Sequence, residues 1–217
     1  QDPRKPHLLH SIPEQYVRLG RVEVSAGCLL LLAWLNYWDT QGGVAWGRLA
    51  CLLNGLAHYG ALRLAGAGVR RVRLTAVGAE MEVEGNLSYG WDCLAALSGP
   101  GCNLLLALLC CRQPWGRLFA GLSLALGCFN LLPVGRLDGG RALYAGLAAA
   151  FGPGMAGTVC RWVEGVAGAA LAAAGVCFFC LGRNVTLLLV ALWIGAGEIP
   201  LKKRGNRACH LGWKRVQ

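Results

Sequence analysis

The sequence predicts an all-α polytopic membrane protein of about six transmembrane helices, with a small membrane-associated β-hairpin. Three observations predict it. Mean hydropathy is +0.46 and only 15% of residues are charged, against about a quarter in soluble domains. The charges avoid several stretches that approach the roughly 20 apolar residues needed to cross a bilayer core as a helix. Residues 69–84, by contrast, alternate polar and apolar with a period of two, which is strand patterning.

The elements follow in order. Residues 1–21 are polar and basic, with prolines at 3, 6 and 13, and read as a juxtamembrane arm. The transmembrane domain is expected over 22–200. A first span covers about Val22–Trp38, ending in Trp34, Tyr37 and Trp38, aromatics suited to a lipid interface. It lacks a small-residue cleavage site and reads as a retained span, not a signal peptide. A second span is expected at about Trp46–Leu64, a third at Trp91–Cys111 and a fourth at Trp115–Leu132. A loop with a short helix fills 135–158. Spans five and six cover about Trp162–Leu181 and Val185–Ile199, and a basic tail occupies 201–217. In the hairpin, Gly78 lies near the bend, and Arg71 and Arg73 can face Glu80, Glu82 or Glu84 across the strands, each pair contributing about 0.2–1 kcal/mol.

A net charge of +10 raises nucleic acid as a partner, but no binding motif accompanies it. With six spans and the amino terminus cytoplasmic, fifteen basic residues fall inside and four outside, which favours both termini cytoplasmic. Ten of the eleven cysteines sit in apolar runs, where thiols act as small hydrophobes. Cys177-Phe-Phe-Cys180 has redox spacing without a βαβ setting, so packing is its expected role.

Charged groups within spans are costly and usually functional. Asp138 stands out, in Asn130-Leu-Leu-Pro-Val-Gly-Arg-Leu-Asp-Gly-Gly140, where prolines and glycines break the helix. Spacing leaves two roles open, a cap for the helix that follows or part of a site. His58 is the only histidine inside an expected span, and is either a hydrogen-bonded packing residue or a ligand. His7, His10 and His210 lie on the arm and tail and read as surface residues.

These segments together resemble the site-2 protease family of intramembrane zinc metalloproteases, most nearly the sporulation-type branch that cleaves a membrane-tethered pro-sigma factor. Asn130-Leu-Leu-Pro with Leu137-Asp-Gly-Gly140 is similar to the family motif that supplies an aspartate to zinc. Gly99-Pro-Gly-Cys-Asn103 resembles its Gly-Pro-x-x-Asn element, and Leu53–Gly66 the helix bearing His-Glu-x-x-His. The resemblance implies two histidines one turn apart and the distant aspartate on zinc, the fourth position left to water, and a glutamate as general base. It also implies that Asn103 and Asn130, with the hairpin around Gly78 and Ala79, receive an extended client segment.

The sequence departs at the zinc helix, which reads Asn54-Gly55-Leu56-Ala57-His58. An amide stands where the family has its first histidine, and Gly55 stands at the position of the base. His58 and Asp138 remain. Zinc is therefore expected to be absent or weakly held, and peptide cleavage is not expected. Three readings stay open: an inactive form of an active protease, a natural pseudoprotease that binds clients or partners, and an unrelated small transporter or scaffold. The expected partners are a membrane-tethered protein or peptide and a membrane inhibitor or regulator, in a bilayer such as a bacterial inner membrane.

Overall fold

The computed structural model describes residues 16–182, except 41, 76–77 and 136, together with the strand 213–216. Six α-helices and five strands make up these residues. The expected sixth span, Val185–Ile199, and the histidines at 7, 10 and 210 lie outside the described residues.

The chain opens with β1 (Tyr16–Leu19) and β2 (Val22–Ser25), then α1 (Ala26–Trp38). This corrects the first expected span. Tyr16-Val-Arg-Leu and Val22-Glu-Val-Ser alternate with a strand period, turned by Gly20 at φ 65, and a hydrophobicity reading merged the second of them into the helix. Ser25 starts the helix by accepting from the Cys28 amide at 3.2 Å. The 13 residues of α1 extend about 20 Å, short of a bilayer core.

Next comes α2 (Gly43–Leu64), whose first amides at Gly43 and Val44 are bound by the Asp39 carboxylate at 2.9 and 2.7 Å. β3 (Gly68–Thr75) and β4 (Gly78–Glu84) form the expected hairpin, and Gly78 at φ +149 takes a bend conformation open to glycine. α3 (Tyr89–Cys110), α4 (Arg117–Asn130), α5 (Asp138–Phe151) and α6 (Pro153–Cys180) complete the bundle. The fourth expected span is shorter than read, because Pro114–Gly116 is a 3-10 turn before the 14-residue α4.

Among the described residues, α3 and α6 are long and apolar enough to cross a membrane. α2 has the length but carries Arg48, Asn54, His58 and Arg63. Only 6% of the apolar window of α6 is buried within the protein, against 33% for α3. Its Trp162, Val166, Val176, Phe178 and Phe179 are exposed. An apolar surface of this size suits lipid, not water.

The hairpin is not a two-stranded unit. The sheet runs β1-β2-β3-β4-β5, with β5 (Trp213–Val216) drawn from the basic tail. β1/β2 and β3/β4 are antiparallel, and β2/β3 and β4/β5 are parallel. Arg71 and Arg73 do face Glu82, at 4.0 and 3.1 Å, while Arg70 pairs with Glu84 at 3.8 Å. Their closer partner is Glu23 on β2, 2.8 Å from Arg71 and 2.9 Å from Arg73. The hydrogen bond from Arg73 is the main cause holding the Glu23 carboxyl below its usual 4.5. The sheet rests on the bundle through Val69, Met81 and Val83, which pack with Leu62 of α2 and Ala95 of α3. Those contacts set β4 about one helical turn from His58.

Candidate functional site

The site is built where α2, α3 and the start of α5 meet. Three pieces of local geometry bring the helices close enough. At Gly99 of α3, an added Cβ would stand 2.1 Å from His58 Nε2 and 2.7 Å from Asn54 Oδ1. The missing side chain is thus what lets α2 lay Asn54 and His58 against α3. At Gly139 and Gly140, a Cβ would collide with the Leu131 and Val134 carbonyl oxygens, at 2.1 and 2.2 Å. The paired glycines after Asp138 let the first turn of α5 cross the backbone of the loop that follows Asn130.

These contacts place Asp138 Oδ2 3.1 Å from His58 Nε2, across 80 residues of sequence. His58 is buried at 5% exposure and its other nitrogen, Nδ1, lies 2.7 Å from the Ala95 carbonyl. A carbonyl only accepts, so Nδ1 carries a proton and donates it to Ala95, which leaves Nε2 facing the Asp138 carboxylate. That pair closes either around a second proton on Nε2, as an ion pair, or around a shared cation. Ser98 Oγ donates to the same Ala95 carbonyl at 2.8 Å and fixes it further.

Asp138 does not cap its own helix. The N-cap position is Leu137, without a capping side chain, and Asp138 follows in the first turn, where the helix dipole favours an anion. Its other oxygen is 4.0 Å from Arg141 Nη1, and Arg141 Nη2 donates to Asp92 at 3.0 Å. Asn103 is fully buried on α3 and donates from Nδ2 to Asn54 Oδ1 at 3.3 Å. Its own Oδ1 has no hydrogen-bond partner among the described residues, nor does Ser123 Oγ of α4.

The structure therefore gathers His58, Asp138, Asn54 and Asn103. Gly55 borders open space, with no atom within 4 Å of where a Cβ would be. Asn130 ends α4 ahead of the loop that Gly139 crosses, and Gly78 and Ala79 stand in the sheet, paired with Thr75 and Leu74. Sequence reasoning missed Arg141 and Asp92. The expected loop over 135–158 makes Arg141 one of the basic residues on the cytoplasmic side, yet it is 6% exposed and ion-paired within the bundle. Its place three residues after Asp138, in an otherwise alanine-rich helix, was the available signal.

The donor set tests whether catalytic zinc fits. Two ligands of one zinc, each about 2.0–2.2 Å from it, stand about 3.4 Å apart in a tetrahedron, and the His58–Asp138 spacing is close to that. The third position is the Asn54 amide, a weak donor whose oxygen is already used by Asn103. Gly55 offers no base. Among the described residues no group of three His, Cys, Asp or Glu side chains converges. The described residues fall one ligand and one base short of a catalytic zinc centre.

No protein-family model and no curated protein sequence matches the chain. Among solved structures, it is similar to the site-2 protease from Methanocaldococcus jannaschii, with a TM-score of 0.61 at 17% identity, covering 89% of this chain and 99% of that one. The fold of this chain is thus the fold of a site-2 protease.

Proposed function

We propose that the chain is an intramembrane metalloprotease of the site-2 type in an inactive form, one that receives a membrane-tethered protein segment and does not cleave it. The observation that carries this reading is the approach of His58 and Asp138 at 3.1 Å, in a fold shared with a site-2 protease. A metalloprotease centre needs a metal to activate water and a base to take its proton. Asn54 and Gly55 remove one ligand and that base, and loss of a base alone typically costs about 10²–10⁴-fold in rate.

What remains is binding. His58 is oriented by Ala95, Asn54 and Asn103 are joined by a hydrogen bond beside it, and the buried Asn103 Oδ1 is an acceptor that a client backbone amide would reach only by entering the bundle. Asn130 and the strand around Gly78–Ala79 extend this surface, with an extended client joining the sheet through main-chain hydrogen bonds. In this reading both termini face the cytoplasm of a multi-pass protein, as in a bacterial inner membrane, which the basic residues of the arm, hairpin and tail support. In the sporulation-type branch the client is a membrane-tethered pro-sigma factor, and a membrane inhibitor or regulator would act on the same surface.

A natural pseudoprotease is the second reading. The Asn54–Asn103 hydrogen bond favours it, since the substituted amide is built into the site.

The test restores Asn54→His with Gly55→Glu and follows cleavage of a membrane-tethered protein in liposomes. The open space at Gly55 accommodates the new side chain. Cleavage by the double variant and by neither single variant is expected, because ligand and base act as a unit. A double variant that binds zinc and still releases no fragment would favour the pseudoprotease.

A further inference from the structure

The hairpin has a neighbour on each flank. β3 is paired on its far side by β2, over Val72–Leu74. β4 is paired on its far side by β5, in the register Met81–Trp213, Glu82–Lys214, Val83–Arg215 and Glu84–Val216. The flank of β4 on which an extended segment could add is thus occupied, over four residues, by the chain's own strand β5. That pairing stops at Met81, so Gly78 and Ala79 lie beyond its reach.

The chemistry of the two strands is complementary. β4 reads Gly-Ala-Glu-Met-Glu-Val-Glu, with Met81 and Val83 buried toward Leu62 and Ala95 and the glutamates on the opposite face. Residues 202–217 hold six basic residues and no acidic one. Lys214 takes the register position of Glu82. Like charges opposed across strands destabilise a pairing, so an acidic segment is disfavoured there.

We propose that this flank of β4 is a docking strip for a short extended segment running parallel to β4, with Lys or Arg beside Glu82, and that residues 213–216 are its built-in occupant. The tail is a pseudo-client that a true client displaces. The inference rests on the reading in which clients bind this sheet as an added strand, and it specifies the class of segment and the device that guards the strip. The physical case for exchange is direct. A four-residue parallel pairing is short, and parallel ladders are slightly weaker per residue than antiparallel ones. Edge elements open locally at low cost. A tethered tail acts at an effective concentration in the millimolar range, which a client must exceed.

The experiment uses the full chain in liposomes, with a photoreactive benzoyl-phenylalanine in place of Ala79. The probes are two single-span peptides, one whose cytoplasmic end reads Trp-Lys-Arg-Val and one reading Trp-Glu-Glu-Val. Ending the chain at Leu211 should raise labelling by the basic peptide about ten-fold, in keeping with removal of a tethered competitor, and leave the acidic peptide weakly labelled. Lys214→Glu, which keeps the whole chain, should raise it several-fold. Glu82→Gln should erase the preference between the peptides. Equal labelling of the intact, truncated and Lys214→Glu chains would overturn the tail as occupant while leaving strand addition standing. Labelling indifferent to peptide charge would overturn the basic specificity. Peptides that co-purify without labelling position 79 in any form would overturn strand addition itself, and the strip with it.

Discussion

The protein contains two ionic clusters built on opposite plans. In the sheet, one carboxylate, Glu23, is held by three arginines at 2.8–3.1 Å, and these range from 22% to 74% exposed. In the bundle, one arginine serves two carboxylates, and His58, Asp138, Arg141 and Asp92 are all under 20% exposed. In the first, Glu23 is itself only 4% exposed, but its cations are redundant and reach water. In the second, one guanidinium is shared between two carboxylates and enclosed by helices. Losing one member should therefore matter far more in the bundle than in the sheet.

The largest effect is expected from Arg141→Met. It removes the guanidinium that Asp92 and Asp138 share in a poorly hydrated setting, and breaking a buried pair costs about 3–5 kcal/mol. Thermal unfolding in detergent should show a drop of that order, and Asp92→Asn in the same chain should recover part of it. Gly99→Ala comes next. Its Cβ would meet His58 Nε2, so the helices must part, at a cost of about 1–3 kcal/mol. A cysteine pair placed for disulfide trapping across α2 and α3 should then close more slowly.

What could be read from sequence divides along the same line. Asp138 and His58 were legible as site candidates because charged and imidazole groups are rare in apolar helices, and the prolines and glycines around Asp138 marked a break in the helix, though not the close crossing that Gly139 and Gly140 permit. The hairpin was legible from its period of two. Arg141 and Asp92 were not, because a pair 49 residues apart leaves no local pattern and each charge is unremarkable alone. Glu23 was hidden by its setting, since Val22-Glu-Val-Ser runs directly into the apolar α1. β5 was hidden because four residues in a basic tail acquire strand identity only from the partner they meet.

The sheet predictions are smaller. Pairing with Arg73, then with Arg71 and Arg18, lowers the Glu23 pKa. Its contribution is therefore present in full above the usual glutamate value of 4.5, and fades as pH falls through the lowered folded value. Stability measured by tryptophan fluorescence should decline in that acidic window, with no slope from this group between pH 6 and 8. Glu23→Gln should remove that part of the decline. The smallest effect belongs to Arg70→Ala. Arg70 and Glu84 are about half exposed at 3.8 Å, and such pairs contribute about 0–1 kcal/mol.

The central claim is that His58 and Asp138 are two retained members of a zinc site lacking its third ligand at position 54. Elemental analysis of tag-free protein tests it most directly. Asn54→His should carry about one zinc per chain, the unaltered chain should carry little, and adding His58→Ala or Asp138→Asn to Asn54→His should return zinc to that low level. Stoichiometric zinc in the unaltered chain, or no gain in a folded Asn54→His variant, would contradict the account.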